Sequence, residues 1–147
     1  MNDEGAKSRK RVFDPAANGW EPYVPSTGFG ELVGPFWRRE DDAGPRFGFI
    51  VAPKHLNRIG IAHGGMLMTF ADQAMGLTAH RATGGKRHAT IELGLQFVGA
   101  VHPGDFVEAR AEVVRVTRAV IFMNAKMRVR ERVVATASGI WKILGEG

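Results

Sequence analysis

From residue 88 onward, apolar and polar positions alternate with few interruptions, the period-two signature of half-buried strands. Residues 88–98 put Ala89, Ile91, Leu93, Leu95 and Phe97 on one face and Thr90, Glu92, Gly94, Gln96 and Val98 on the other. A turn at His102-Pro103-Gly104-Asp105, with Pro and Gly placed as a type II turn wants them, leads into a strand over 106–116. A break at Thr117-Arg118 precedes a third strand over 119–129, and after Arg130-Glu131-Arg132 a fourth, 133–144, follows. Upstream, 29–39 and 46–52 read as two shorter strands joined by the turn-rich residues 40–45.

Residues 64 to about 81 break this rhythm. Nearly every position there is apolar or small, which predicts one helix covered on most sides rather than a surface helix. Thr83-Gly84-Gly85 ends it. Residues 1–27 are polar, Pro- and Gly-rich and aperiodic, an expected N-terminal tail or lead-in to a single domain over 28–147. Two strands, one buried helix and four long strands make an α+β chain. An antiparallel sheet curled around the helix is the simplest way to bury it.

The length of 147 residues supplies a real core without metal or disulfides. Cysteine is absent, which excludes a disulfide scaffold, a thiolate zinc site and a cysteine nucleophile, and fits a reducing, cytoplasmic setting. The basic N-terminus (Lys7, Arg9, Lys10, Arg11) lacks the apolar run of a secretory signal. The longest apolar stretch, 66–79, is too short to span a bilayer and contains Asp72, so no membrane association is expected. A net charge of +5 favours a polyanionic partner. Nucleic acid is disfavoured because only Phe122 interleaves the basic residues between 107 and 132.

Candidate chemistry concentrates at the start of the helix. Gly64-Gly65 lets the backbone approach a ligand closely, and unpaired N–H groups with the positive dipole end there suit a carbonyl oxygen or oxyanion. Asp72 is the helix's one carboxylate, with no Lys or Arg between 64 and 80 to pair with it, so a buried, functional acid is expected. Asn57 is an uncharged donor suited to a carbonyl but also an ordinary turn residue, and His63 reads as a loop anchor or a base. The histidines form no metal-ligand set, and no metal is expected. Asp72 lies eight residues beyond Gly64, about 12 Å along the axis. One carbonyl cannot touch both within a chain, so a shared reaction predicts two equivalent sites at a dimer interface.

Asn57, His63-Gly64-Gly65, Asp72 and Thr90, with Phe97 and the Pro103-Gly104-Asp105 turn, resemble the hotdog-fold acyl-CoA thioesterases, specifically the phenylacetate-degradation (PaaI-like) branch, over about 29–144. The resemblance implies an antiparallel sheet of five to six strands wrapped around a long central α-helix, in dimers that often pair into tetramers. It implies hydrolysis of an acyl-CoA to free acid and CoA. Gly64 and Asn57 would polarise the carbonyl, Asp72 of the partner subunit would act as base or nucleophile, Thr90 would hold the water, and His63 would shape the loop. Gly65 and Met66, with Arg118 and Lys142 for the CoA phosphates, are the expected substrate contacts. No cofactor is expected, since CoA is part of the substrate. The alternative is a non-catalytic hotdog-fold acyl-CoA binding or sensor protein. A second branch, with Glu as its acid and Thr one turn later, matches less well, because those positions hold Asp72 and Gly76.

Overall fold

A computed structural model describes residues 11–23 and 28–145. The strands are β1 (Glu21–Tyr23), β2 (Phe36–Asp41), β3 (Gly44–Ile50), β4 (His88–Phe97), β5 (Phe106–Val116), β6 (Val120–Val129) and β7 (Arg132–Ile143). Two helices accompany them, α1 (Phe29–Val33) and α2 (Gly64–Ala82). All strands join one antiparallel sheet in the order β1-β2-β3-β5-β6-β7-β4. The α+β hotdog arrangement expected from sequence is present, with seven strands instead of five or six.

The extra strand comes from the stretch read as a lead-in. β1 pairs with β2, and Trp20 just before it is buried with its ring edge against Phe106, 4.9 Å between centroids. The rest of that lead-in, residues 1–10 and 24–27, lies outside the described residues. A second departure is α1, a five-residue helix where residues 29–39 read as one strand; the strand begins only at Phe36.

The core lies between α2 and one face of the sheet. Ile121, Met123, Ala125 and Met127 of β6 are all buried, and their register partners on β7 are Trp141, Gly139, Ala137 and Ala135. On α2, Met66, Leu67, Phe70, Ala71, Ala74, Met75, Thr78 and Ala79 are buried against them. Met68 and Asp72 lie on the uncovered flank of the same helix, so α2 is not wrapped on most sides in a single chain. Among the described residues, no helix is long and apolar enough to cross a membrane.

Candidate active site

The loop before α2 is built around Asn57. Its Oδ1 accepts from the Ile59 N–H (3.0 Å) and the Ile61 N–H (3.3 Å), while its own N–H donates to the Ile61 carbonyl at 2.8 Å. Two converging amides orient the side chain with its carbonyl inward. Its Nδ2 makes no hydrogen bond among the described residues and remains the group able to donate to a ligand. The loop is tied to the body where the Ala62 N–H donates to the Val101 carbonyl, 2.8 Å.

His63 is the N-cap of α2. Its Nδ1 accepts from the Gly65 N–H at 2.8 Å, and its carbonyl accepts from Met66 (2.9 Å) and Leu67 (3.3 Å). A helix start leaves its first N–H groups without intrahelical partners. Here His63 takes up those that follow Gly64, and among the described residues the Gly64 N–H is the donor left without an acceptor. Both glycines have a steric reason. A Cβ at Gly64 would stand 3.2 Å from Phe97 Cζ, and one at Gly65 would stand 2.9 Å from His63 Nδ1.

Asp72 is half-buried, not the fully buried acid expected, because no element among the described residues covers its flank of α2. Its Oδ1 accepts from Thr90 Oγ1 at 2.6 Å. Arg81, a conceivable local ion-pair partner, is instead bound to Glu40. The alternation read for β4 placed Thr90 on the face opposite Leu93, and the structure corrects this. Thr90 pairs with Trp141 and Glu92 with Ile140, leaving Ile91 as an unpaired extra residue. That β-bulge shifts the pleat by one and turns Thr90 toward the helix.

Sequence reasoning missed His88, which packs against the C-terminal half of α2 beside His80 and Gly76. Its ring faces His80 on α2 (centroids 6.2 Å apart), and its Nε2 is buried with no hydrogen-bond partner. Burial holds its pKa below the usual imidazole range, assisted by His80 and opposed by the Gly76 carbonyl and the Asp72 charge. Its position two residues before Thr90 was the available signal, but the unseen bulge left the facing of both uncertain.

The family model described as "Thioesterase superfamily" matches residues 59–136, from the end of the loop through α2, β4, β5 and β6 to the start of β7. The chain is also 33% identical over 130 residues to Putative esterase PA0474 of Pseudomonas aeruginosa, covering 85% of this chain and 95% of that one. The chain belongs to the thioesterase superfamily. A hypothetical thioesterase from Streptococcus pneumoniae, solved with coenzyme A, superposes on this thioesterase-superfamily chain with a TM-score of 0.68. It is 25% identical, over 76% of this chain and 90% of the other. A variant of phenylacetic acid degradation protein PaaI from Thermus thermophilus shares the fold, with a TM-score of 0.70, 24% identity and coverage of 79% and 98%. The expected likeness to PaaI-type proteins is therefore present in the fold, and membership supports thioester hydrolysis in general.

Within this thioesterase-superfamily chain, the expected site residues fall into separate groups. Asn57, His63 and Gly64 cluster at the helix start, while Asp72 and Thr90 meet two helical turns away. Gly65 is exposed, with its N–H taken up by the cap, and Met66 is buried in the single chain. Arg118 sits in the β5–β6 turn and Lys142 on β7 opposite Val120, both exposed and at the same end of the sheet. Lys142 alternates with the buried Trp141 and so lies on the face away from α2. Two recesses of about 930 and 610 Å³ among the described residues are lined by neither Gly64 nor Asp72.

Proposed function

We propose that the protein hydrolyses an acyl-CoA thioester to the free acid and CoA at two equivalent sites, each assembled from two copies of the chain. One observation carries this reading. A free helix-start amide and an oriented carboxylate occupy one helix, eight residues apart, about 12 Å at the helical rise. They serve one carbonyl only if Gly64 comes from one subunit and Asp72 from the other. β4 supports such pairing: it is an edge of the sheet with Ile91 57% and Phe97 53% exposed, and Val98 just beyond it 59% exposed. An unpaired edge with apolar side chains is a template for a second chain. Two-fold pairing along β4 joins the sheets and sets the α2 helices side by side.

In this arrangement the thioester oxygen accepts from the Gly64 N–H at the positive end of α2, aided by Asn57 Nδ2. Thr90 donates its hydroxyl proton to Asp72, so its lone pairs are left to accept from a water. That water attacks the carbonyl carbon and passes its proton to Asp72. The tetrahedral oxyanion collapses on the same donors, the C–S bond breaks, and the CoA thiolate takes the proton. No cofactor or metal enters this route. Arg118 and Lys142 supply cations for the CoA phosphates, and the exposed Met68 beside Asp72 lines the acyl end.

Replacement Asp72→Asn tests the reading through thiol release from a panel of acyl-CoAs. The expected loss in kcat is about 10²–10⁴-fold with CoA affinity kept. Unchanged hydrolysis refutes it, and binding without turnover by the unaltered protein establishes the non-catalytic acyl-CoA binder instead.

A further inference from the structure

His55 lies outside the residues assigned to the reaction, yet its two ring nitrogens and its main chain all bear on the loop that presents Gly64. It is 3% exposed, on the turn Pro53–His55 that follows β3. Nε2 stands 2.6 Å from the Val33 carbonyl at the end of α1, and Nδ1 accepts from the Ala52 N–H at 3.0 Å. One nitrogen faces a carbonyl and the other an N–H, which selects the neutral ring with its proton on Nε2. The ring edge packs on Phe49 at 5.3 Å and 90°, and Phe49 packs on Phe70 of α2 at 4.8 Å. The His55 carbonyl accepts from the His63 N–H at 2.8 Å. His63 is the residue that caps α2 and leaves the Gly64 amide free.

We propose that His55 is a positioning residue for the carbonyl-binding amide of Gly64. It locks α1, the 53–55 turn and the N-cap of α2 into one unit, so that the Gly64 N–H has a fixed direction when substrate arrives. The proposal rests on the reading of Gly64 as the carbonyl donor. Polarising a carbonyl requires a donor held to within a few tenths of an ångström, and misplacement by about 1 Å can cost about 100-fold in rate. Removing the imidazole leaves the Val33 carbonyl and the Ala52 N–H without partners, and the His55–His63 bond loses the anchor that fixes its direction.

The probe is an acyl-CoA analogue with a methylene in place of the thioester sulfur, bearing a ¹³C-labelled ketone carbonyl, read by its infrared stretch when bound. The unaltered protein is expected to lower that stretch relative to the free analogue, and Asp72→Asn to keep the lowered value. His55→Phe, which retains the contact with Phe49, is expected to lose most of the lowering. Its kcat falls about 10- to 100-fold at nearly constant KM. His55→Gln, which retains a donor toward Val33, is expected to recover part of both, and His55→Leu, which removes both ring nitrogens at smaller volume, serves where the Phe variant does not fold. A lowered stretch and normal kcat in His55→Phe or His55→Leu overturn the positioning role alone. No lowering in the unaltered protein overturns the Gly64 reading and the role of His55 with it.

Discussion

Thr90 donates from Oγ1 to Oδ1 of Asp72 at 2.6 Å, joining the edge strand β4 to the middle of α2. The distance lies within the ordinary range of a hydroxyl-to-oxygen hydrogen bond. Two neighbouring features make the contact possible. The bulge at Ile91 turns Thr90 toward the helix, and the uncovered flank of α2 leaves room for the carboxylate. The same bond divides the labour between the two side chains: the threonine proton is committed to Asp72, and its lone pairs are open to a water.

Replacement of Thr90 by valine keeps the shape of the side chain and removes the donor. A hydrogen bond to a charged group contributes roughly 1.5–3 kcal/mol, so kcat is expected to fall about 10- to 100-fold. Serine keeps the hydroxyl and is expected to stay within a few-fold of the parent. Steady-state thiol release with both variants checks this, and equal losses in valine and serine count against a hydroxyl role.

The bulge gives a separate test without altering either polar residue. Deleting Ile91 restores an even ladder between β4 and β7 in which Thr90 still pairs with Trp141 and keeps its face toward α2. Hydrolysis is expected to stay within a few-fold of the parent, unlike the valine variant, while circular dichroism retains the spectrum of the folded chain. A loss as large as that of the valine variant indicates that the bulge itself, and not only the register of Thr90, sets its contact with Asp72.

What could be read from the chain and what could not separate along physical lines. The pattern over 64–81 predicts α2 almost to its observed end at Ala82, and the strand over 106–116 coincides with β5, because long uninterrupted periods override local noise. Residues 29–33 gave no such signal: Phe29-Gly30-Glu31-Leu32-Val33 is too short to show a helical period, and its start at Gly28 has no side-chain cap. β1 is three residues long and owes its place to pairing with β2, which only the fold supplies. The bulge inserts one residue into an otherwise regular alternation, so Thr90 was assigned to the wrong face. Asp72 stood out as the lone acid of α2, but its exposure depends on which flank the sheet leaves open, a property of packing and not of composition.

His63 separates a structural cap from a catalytic base. Its Nδ1 holds the Gly65 N–H, so replacement by alanine is expected to cost about 1 kcal/mol in unfolding free energy. Asparagine is a good N-cap and is expected to recover most of that stability together with most of the activity. Denaturant titration and thiol release on the two variants decide it. A stable His63→Asn protein without activity assigns chemistry to the imidazole.

Two histidines predict how stability responds to acid. Burial holds His55 below the usual imidazole pKa against the opposing Val33 carbonyl, and burial followed by His80 does the same for His88. The unfolded chain therefore takes up these protons more readily, and stability rises with pH wherever that difference operates. The full contribution is present above the unfolded value near 6.5 and is lost as pH falls through the lower folded values. Glu40, held low by Arg81, and Asp41, held low by Arg110, are exposed and act only below about pH 4.5. Thermal melts are thus expected to give a flat Tm from about pH 8 to 6.5 and a falling one toward pH 5, with a shallower fall in His88→Gln. An unchanged slope in that variant removes His88 from the account.

The two-chain site makes a prediction that no single-chain site shares. Gly64→Val blocks the helix start, since even a Cβ there meets Phe97 at 3.2 Å, and Asp72→Asn removes the acid. Each variant alone is expected to be inactive as a homodimer. In a mixed dimer, one site combines the intact Gly64 of the acid variant with the intact Asp72 of the glycine variant, and the other site carries both lesions. Random mixing of equal amounts makes half of the dimers mixed, each with one working site of two, so about a quarter of the parental activity is expected to return. Co-expression with two different affinity tags and purification through both isolates the mixed dimer, whose activity is expected to be about half of parental per dimer. If the purified mixed dimer is as inactive as its parents, Gly64 and Asp72 do not meet across subunits. In that case Asp72 must act within its own chain, on a carbonyl held by a donor other than Gly64.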